Sequence, residues 1–250
     1  MKTYIVNLES SPERKEYMEN LLKDIPALEY EFIKAVDGRK LTDSERNALF
    51  DSSHAFKRYG RECRPGEIGC TLSHQQCYKK IAESVEDYAL ILEDDIVINC
   101  TDNAIWEKMQ AFLCKENKPM VLLLSGNYWY SRTQSHKVGL TTAYVFDAYG
   151  TFAYLINKKA AKLLIEYPAT FLADDWRYLR SKGIKLQAIY PHPISPSEES
   201  LLSSTILTGI KRNDKINKQN LPFATCISTY IRGGIRHFLK FIKHYEGNWG

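Results

Sequence analysis

Residues 88–98 read YALILEDDIVI, an apolar run with three consecutive acids, Glu93, Asp94 and Asp95, in its middle. The flanking residues are those of a buried β-strand, the kind around which an α/β core assembles. Three adjacent carboxylates repel one another, and burying them without partners is costly. Either they stand in water at a sharp turn or a cation holds them. Side chains alternate along an extended segment, which predicts Glu93 and Asp95 on one face and Asp94 on the other. Two carboxylates separated by one residue can share a hard divalent cation, Mg²⁺ or Mn²⁺, that keeps open positions for phosphate oxygens. The plainer alternative is an exposed acidic turn between two strands.

Working outward, TYIVNL (3–8) is a short strand, and Ser10, Ser11, Pro12 and Glu13 form a helix start for a helix reaching about Lys23. EYEFIKAV (29–36) is a second strand closed by Asp37-Gly38, and Thr42 with Glu45 forms a capping box. A polar loop is expected over 51–65. A helix then opens at Pro65-Gly66 and carries GEIGCTLSHQQCYKKIAE before the acidic strand. A helix over 103–115 and a fully buried strand, PMVLLLS (119–125), follow. Residues 126–137 read as a loop rich in aromatics, and TTAYVFDAYGTFAYLI as two strands meeting near Gly150. Asn157 caps a helix that Pro168 ends, a second helix runs from about Ala173 to Gly183, and IKLQAIY is a last strand. This alternation predicts an α/β fold with a mainly parallel sheet flanked by helices. Such sheets bind ligands beyond the carboxyl ends of their strands, and the three acids occupy such an end.

The chain has 250 residues and a net charge of +4. From Lys211 to Trp249, eight Lys or Arg stand against Asp214 and Glu246, a local +6, which leaves −2 for the rest. The division expected is a main domain over 1–210 and a basic, partly amphipathic helical tail over 211–250. The six cysteines include no CxxC pair. Cys70 and Cys77, on one helix, would stand about 10 Å apart, too far to bridge. All six read as reduced thiols of a cytoplasmic protein. The start, MKTYIVNLESSPERK, turns polar after one short strand and does not resemble a secretory leader.

NLESSPER (7–14), AVDG (35–38), GEIGCTLSH (66–74), ILEDD (91–95) and GTFAYLINKKAAKLL (150–164) occur in this order. Together they resemble glycosyltransferase family 25, which includes bacterial lipooligosaccharide galactosyltransferases and collagen galactosyltransferase domains. The resemblance spans residues 1 to about 210. It implies a GT-A, Rossmann-like nucleotide-binding fold with a DxD-type motif, here Glu93-Asp94-Asp95, binding the metal of a UDP-sugar. It further implies inverting transfer of galactose, or glucose, to a terminal sugar of lipooligosaccharide, with Mn²⁺ or Mg²⁺ as cofactor. Glu93 and Asp95 are then the metal ligands, Glu93 and Asp94 touch the donor, and His192, between two prolines, is a further candidate ligand.

Asn7 and Arg14, at the first strand end and in the next helix turn, are expected to meet the donor; so are Glu67, Ser73 and His74 of the GEIGCTLSH helix. Arg14 could equally pair with Glu13 or Glu16, and Ser73 and His74 could be a satisfied polar patch. FLADDWRYL (171–179) places two acids at a helix start, where Asp is also a common cap. The register of the family makes Asp174 the general base and Asp175 a supporting carboxylate. Tyr128, Trp129 and Trp176 are candidate sugar platforms, or else core. The serines of SPSEESLLSSTI are expected in a loop over the donor.

In the tail, IRGGIRHFLKFIKHY (231–245) has helical spacing of apolar residues beside Arg232, Arg236, Lys240 and Lys243, with an interruption expected at Gly233-Gly234. Such a helix suits the anionic inner surface of the cytoplasmic membrane, or packing on the main domain. No nucleic-acid recognition motif is present. Two rival functions remain open at this point: a nucleotidyltransferase using the same acids, and a non-catalytic glycan- or nucleotide-binding module.

Overall fold

Strands buried on both faces form the centre of the molecule. In the computed structural model, which describes residues 1–100, 102–197 and 223–247, β3 (Tyr88–Glu93) sends Ala89 and Ile91 into one apolar layer and Leu90 and Leu92 into the other. β5 (Met120–Leu123) and β8 (Ala153–Asn157) do the same. Each leucine, isoleucine, valine or methionine among them contributes about 1.5–3 kcal/mol when withdrawn from water.

These strands belong to a nine-stranded sheet completed by β1 (Lys2–Asn7), β2 (Glu29–Lys34), β6 (Tyr128–Ser135), β7 (Thr141–Ala148), β9 (Lys185–Ile189) and β11 (Tyr245–Glu246). The order is β11-β6-β7-β9-β5-β8-β3-β1-β2. β1, β2, β3, β5, β6 and β9 share one direction, so the sheet is mainly parallel; β7, β8 and β11 are antiparallel insertions. One layer is covered by α4 (Pro65–Glu83), α6 (Lys158–Leu164) and α7 (Trp176–Ser181), the other by α1 (Pro12–Leu22) and α5 (Ala104–Leu113). After the acids the chain forms β4 (Ile96–Ile98), paired with β10 (Ile194–Pro196) in a separate ladder.

Several sequence expectations need correction. The stretch 51–65 is not all loop: Asp51 accepts a hydrogen bond from His54 N and starts α3 (Ser52–Tyr59), which follows α2 (Asp43–Leu49) and ends at Gly60 with φ 68°. Residues 128–135 are strand β6 instead of a loop, because Tyr128 and Tyr130 alternate into the core. The tail helix, α8 (Phe223–Phe241), is continuous through Gly233-Gly234. Glycine costs about 1 kcal/mol against alanine in a helix but does not by itself end one. β11 pairs with β6, so the end of the tail joins the main sheet. The 210/211 boundary and the serine-rich segment after Ser197 lie outside the described residues. The capping box of Thr42 and Glu45 and the Asn157 cap are present, and the six cysteines are free thiols.

The first turn of α4 lies directly on the loop after β2. A Cβ on Gly69 would overlap the carbonyl of Val36 and the nitrogen of Gly38, and a Cβ on Gly38 would overlap the carbonyl of Pro65. The Ser73 hydroxyl completes the contact, donating to Gly69 O at 2.7 Å and accepting from Val36 N at 2.9 Å. Backbone against backbone leaves nothing flexible to move aside. Gly69→Ala is therefore expected to lower stability by about 1–3 kcal/mol, the cost of overpacking. Urea denaturation measures it; an unchanged midpoint would show that the two segments can separate freely.

Candidate functional site

β3 ends at Glu93, so the pleat that would alternate the three acids stops there. Asp94 and Asp95 turn together toward α1. Arg14 Nη1 donates to Asp94 Oδ1 at 3.1 Å and to Asp95 Oδ2 at 3.3 Å, and Asn7 Nδ2 donates to Asp94 Oδ2 at 2.8 Å. Glu93 turns toward α4 and the start of β8, where it accepts a hydrogen bond from Thr151 Oγ1 and lies 3.7 Å from His74 Nε2. The expected alternation is thus replaced by a one-and-two split. The exposed-turn alternative fails as well, since Asp94 is 8% exposed.

Burial pushes the Asp94 carboxyl above its ordinary value, against the pull of Asn7 and Arg14. Burial also opposes the charge on Arg14, but Asp94 and Asp95 outweigh it and raise its pKa. Burial thus disfavours the charge on Asp94, and a further cation nearby would favour it.

The acids line a cavity of about 390 Å³ at the carboxyl ends of β1, β2 and β3, with Arg14, Glu67, Ser73 and His74 in the same wall. His74 is fully buried; Nδ1 is 2.6 Å from Tyr154 OH, while Nε2 has no hydrogen-bond partner. Donor atoms of Cys70, His74 and Glu93 lie within 4.8 Å of one another. Burial, then Glu93, keeps the Cys70 thiol well above its ordinary pKa and hence neutral. The oxygen donors of the triplet suit Mg²⁺ or Mn²⁺, whereas a cysteine would suit a softer ion. Glu67 and Ser73 are engaged in the fold: Glu67 takes both Arg61 Nη atoms, at 2.8 and 2.6 Å, and caps α4 at Arg64 N, while Ser73 ties α4 to Val36.

Asp174 and Asp175 have different surroundings. Asp175 caps α7 through Tyr178 N at 3.0 Å and receives Arg58 Nε and the Tyr59 hydroxyl, the latter at 2.9 Å. Burial, then Asp175, raises the Tyr59 pKa, so the phenol stays a neutral donor. It also accepts from Leu172 N at 2.8 Å, and Thr71 Oγ1 accepts from Ala173 N at 3.1 Å. The loop carrying Asp174 is thereby pinned from α3 and α4. Asp174 itself is open to the solvent of two cavities, the acid-lined one and a second of about 890 Å³ between α3, α7 and α8. Protein surrounds it otherwise, and that burial, followed by the Asp175 and Glu67 charges, raises its carboxyl pKa.

Three expected residues are placed elsewhere. Tyr128 is fully buried with its hydroxyl on Ile189 O at 2.8 Å, and Trp176 is 1% exposed with Nε1 on Gly150 O at 3.1 Å. Tyr128 is a core residue, and Trp176, although it borders the larger cavity, is almost wholly covered. His192 Nδ1 is 2.7 Å from Glu246 Oε1 and Nε2 is 3.2 Å from Ser195 Oγ, so its ring closes the β11 edge and is not grouped with the acids. Trp129 packs against Tyr149 and Tyr245 and under Arg236 of α8. Sequence reasoning missed Thr151, Cys70, Arg58 and Tyr59. Thr151 and Cys70 lie inside the quoted motifs, whereas Arg58 and Tyr59 were hidden in the presumed loop.

The sequence model of glycosyltransferase family 25, described as LPS biosynthesis protein, matches residues 1–176. A glycosyltransferase 25 family member of Aedes aegypti is 38% identical over 96 residues, 37% of this chain and 16% of that protein. One of Drosophila melanogaster is 29% identical over 188 residues, 65% and 29% of the two chains. Human procollagen galactosyltransferase 2 is 25% identical over 168 residues, 65% and 27%. The chain therefore spans less than a third of each of these relatives. Among solved structures, a Drosophila β-1,4-galactosyltransferase 7 mutant in complex with manganese, UDP-Gal and xylobiose is 12% identical with a TM-score of 0.42, over 87% of this chain and 77% of that one. With its motifs in order and the family model covering residues 1–176, the chain belongs to glycosyltransferase family 25.

Proposed function

We propose that the protein is an inverting, metal-dependent hexosyltransferase that moves galactose, or glucose, from a UDP-sugar to a terminal sugar of lipooligosaccharide or lipopolysaccharide. One observation carries the reading: Asp174 lines both an acid-walled cavity at the strand ends and the larger cavity beside it. A carboxyl between two cavities can face a donor and an acceptor at once. Galactose is favoured by the relatives named galactosyltransferases, and the lipopolysaccharide acceptor by the description of the family.

The donor diphosphate occupies the cavity of the acids. Glu93, on the α4 side of this cavity, and Asp95, on its α1 side, would hold Mn²⁺ or Mg²⁺, which would supply Lewis-acid neutralisation of the departing diphosphate. Arg14 orients Asp94 and Asp95, and Thr151 orients Glu93. Asp174 accepts the proton of the acceptor hydroxyl as its oxygen bonds to the anomeric carbon and UDP leaves with the bonding pair. Tyr59, Arg58 and Thr71 fix the base through its loop and its neighbour. Asp175, with three donors on it, serves as a positioning residue.

The tail helix supplies membrane attachment at the cytoplasmic side. Its apolar side chains face outward: Tyr230 is 66%, Ile231 59%, Phe238 60% and Phe241 85% exposed. Arg232 and Arg236 lie beneath, each 3.5 Å from the buried Asp147. No helix among the described residues is long and apolar enough to cross a membrane, so attachment would be peripheral. Lys240, Lys243 and the basic residues 211–218 add about 1 kcal/mol each near an anionic surface.

Asp95→Asn is expected to abolish transfer with a nearly unchanged melting temperature, since it relieves carboxylate repulsion. EDTA should silence the enzyme and Mn²⁺ restore it; full activity in EDTA, read as UDP release, would defeat the metal role.

Asp174→Asn should lower turnover by about 10²–10⁴-fold with UDP binding retained. Because the base must be ionised and its pKa is raised, the acid limb of the rate profile should lie above the ordinary aspartate value. If Asp175→Asn loses the acid limb instead, the assignment is reversed.

Phe238→Ser combined with Phe241→Ser should end co-sedimentation with phosphatidylglycerol vesicles and leave donor hydrolysis intact. A full-length protein that ignores such vesicles at low salt would refute the attachment.

A further inference from the structure

The larger cavity, beyond Asp174, carries more positive charge than its acids neutralise. Four cationic side chains, Lys57, Arg58, Arg177 and Arg232, line it together with Asp147, Asp174 and Asp175. Arg58 is taken by Asp175, and Asp147 is shared by Arg232 and Arg236. Among the described residues Arg177 makes one side-chain hydrogen bond, from Nη2 to Ser228 Oγ at 3.4 Å, and neither it nor Lys57 has a carboxylate within ion-pair distance. Burial, then the neighbouring Arg232, lowers the Arg177 pKa. Two guanidiniums on one half-buried wall repel, and the planar donor fork of Arg177 is largely unused. An anion between them would remove the repulsion and fill the fork with charge-assisted bonds. Sugar hydroxyls alone would leave the excess charge in place.

We propose that this cavity binds the acceptor through an anionic substituent of its glycan, phosphate or carboxylate, with Arg177 and Lys57 as its counter-charges. The proposal rests on the reading of Asp174 as the base that faces the acceptor. It goes further by naming the chemistry that selects the acceptor. The substituent sits on the α7–α8 side, so the hydroxyl that reacts belongs to a neutral part of the same glycan reaching Asp174. The cavity would then discriminate by charge at a distance from the reacting atoms.

Isothermal titration of the full-length protein with mannose 6-phosphate, glucuronate, mannose and glucose tests this, with the protein saturated with UDP and Mn²⁺ so that the donor cavity is filled. At least one anionic sugar should bind about tenfold or more tighter than its neutral counterpart, the scale of one charge-assisted hydrogen bond. The tighter of the two anionic sugars identifies the group. Arg177→Gln should remove that preference, and raised salt should reduce it. Lys57→Gln, on the exposed side of α3, should act in the same direction and serves if Arg177→Gln does not fold. Equal affinity for charged and neutral sugars would overturn the proposal, as would a preference untouched by both variants. A failure of UDP to bind would refute the donor reading alone, because the phosphosugar titration and its dependence on Arg177 report on the second cavity directly.

Discussion

Mutual repulsion among Glu93, Asp94 and Asp95 is the constraint around which the site is built. A strand that ends in three carboxylates near its core needs donors from several directions, and no single element can supply them. Asn7 comes from β1, Arg14 from α1 and Thr151 from the segment entering β8, while His74 of α4 lies 3.7 Å from Glu93. Those elements converge because β8 is inserted antiparallel beside β3, which brings Gly150 and Thr151 to the edge where the parallel strands end. The contact of Gly69 with Gly38 sets α4 against the same edge. Fold and site are therefore one arrangement: the sheet order creates the edge, and the acids make its occupants necessary.

Much of this was legible in the sequence because it depends on local rules. Apolar runs gave β3 and β5, the Thr42–Glu45 box and the Asn157 cap marked helix starts, and the ordered motifs placed the acids at a strand end. The split of the acids was not legible, because it depends on where the strand stops and on Arg14, eighty residues away in the chain. Tyr128 and Trp176 misled for a related reason. An aromatic residue has the same composition signal whether its ring meets a ligand or the core, and only the sheet partner decides. α3 was missed because its one buried residue, Ala55, gives no apolar periodicity. His192 looked available as a ligand only because its partner, Glu246, belongs to a strand formed by the far end of the chain.

The two cavities divide the electrostatic work. One is walled by acids, which favour a cation. The other is lined by four cations, and of its three acids Asp147 and Asp175 are already committed to arginines. Asp174 stands between fields of opposite sign, and burial, followed by the charges of Asp175 and Glu67, raises its proton affinity above the ordinary value. A carboxyl so placed is a better proton acceptor than one in water, provided its loop does not move. Tyr59 and Thr71 supply that rigidity from two different helices.

α8 packs with the polarity of a surface helix reversed. Arg232 and Arg236 lie inward on the buried Asp147, and Ile227, Tyr230, Ile231, Phe238 and Phe241 are exposed. The helix is therefore anchored by charge and leaves its greasy row in water, where that row is a colloidal liability. A purified sample kept without lipid or detergent would pair copies through that row as concentration rises, and salt would strengthen the pairing while weakening the anchor beneath. Handling of the protein, and the choice of amphiphile for crystals or particles, follows from the direction in which this one helix faces.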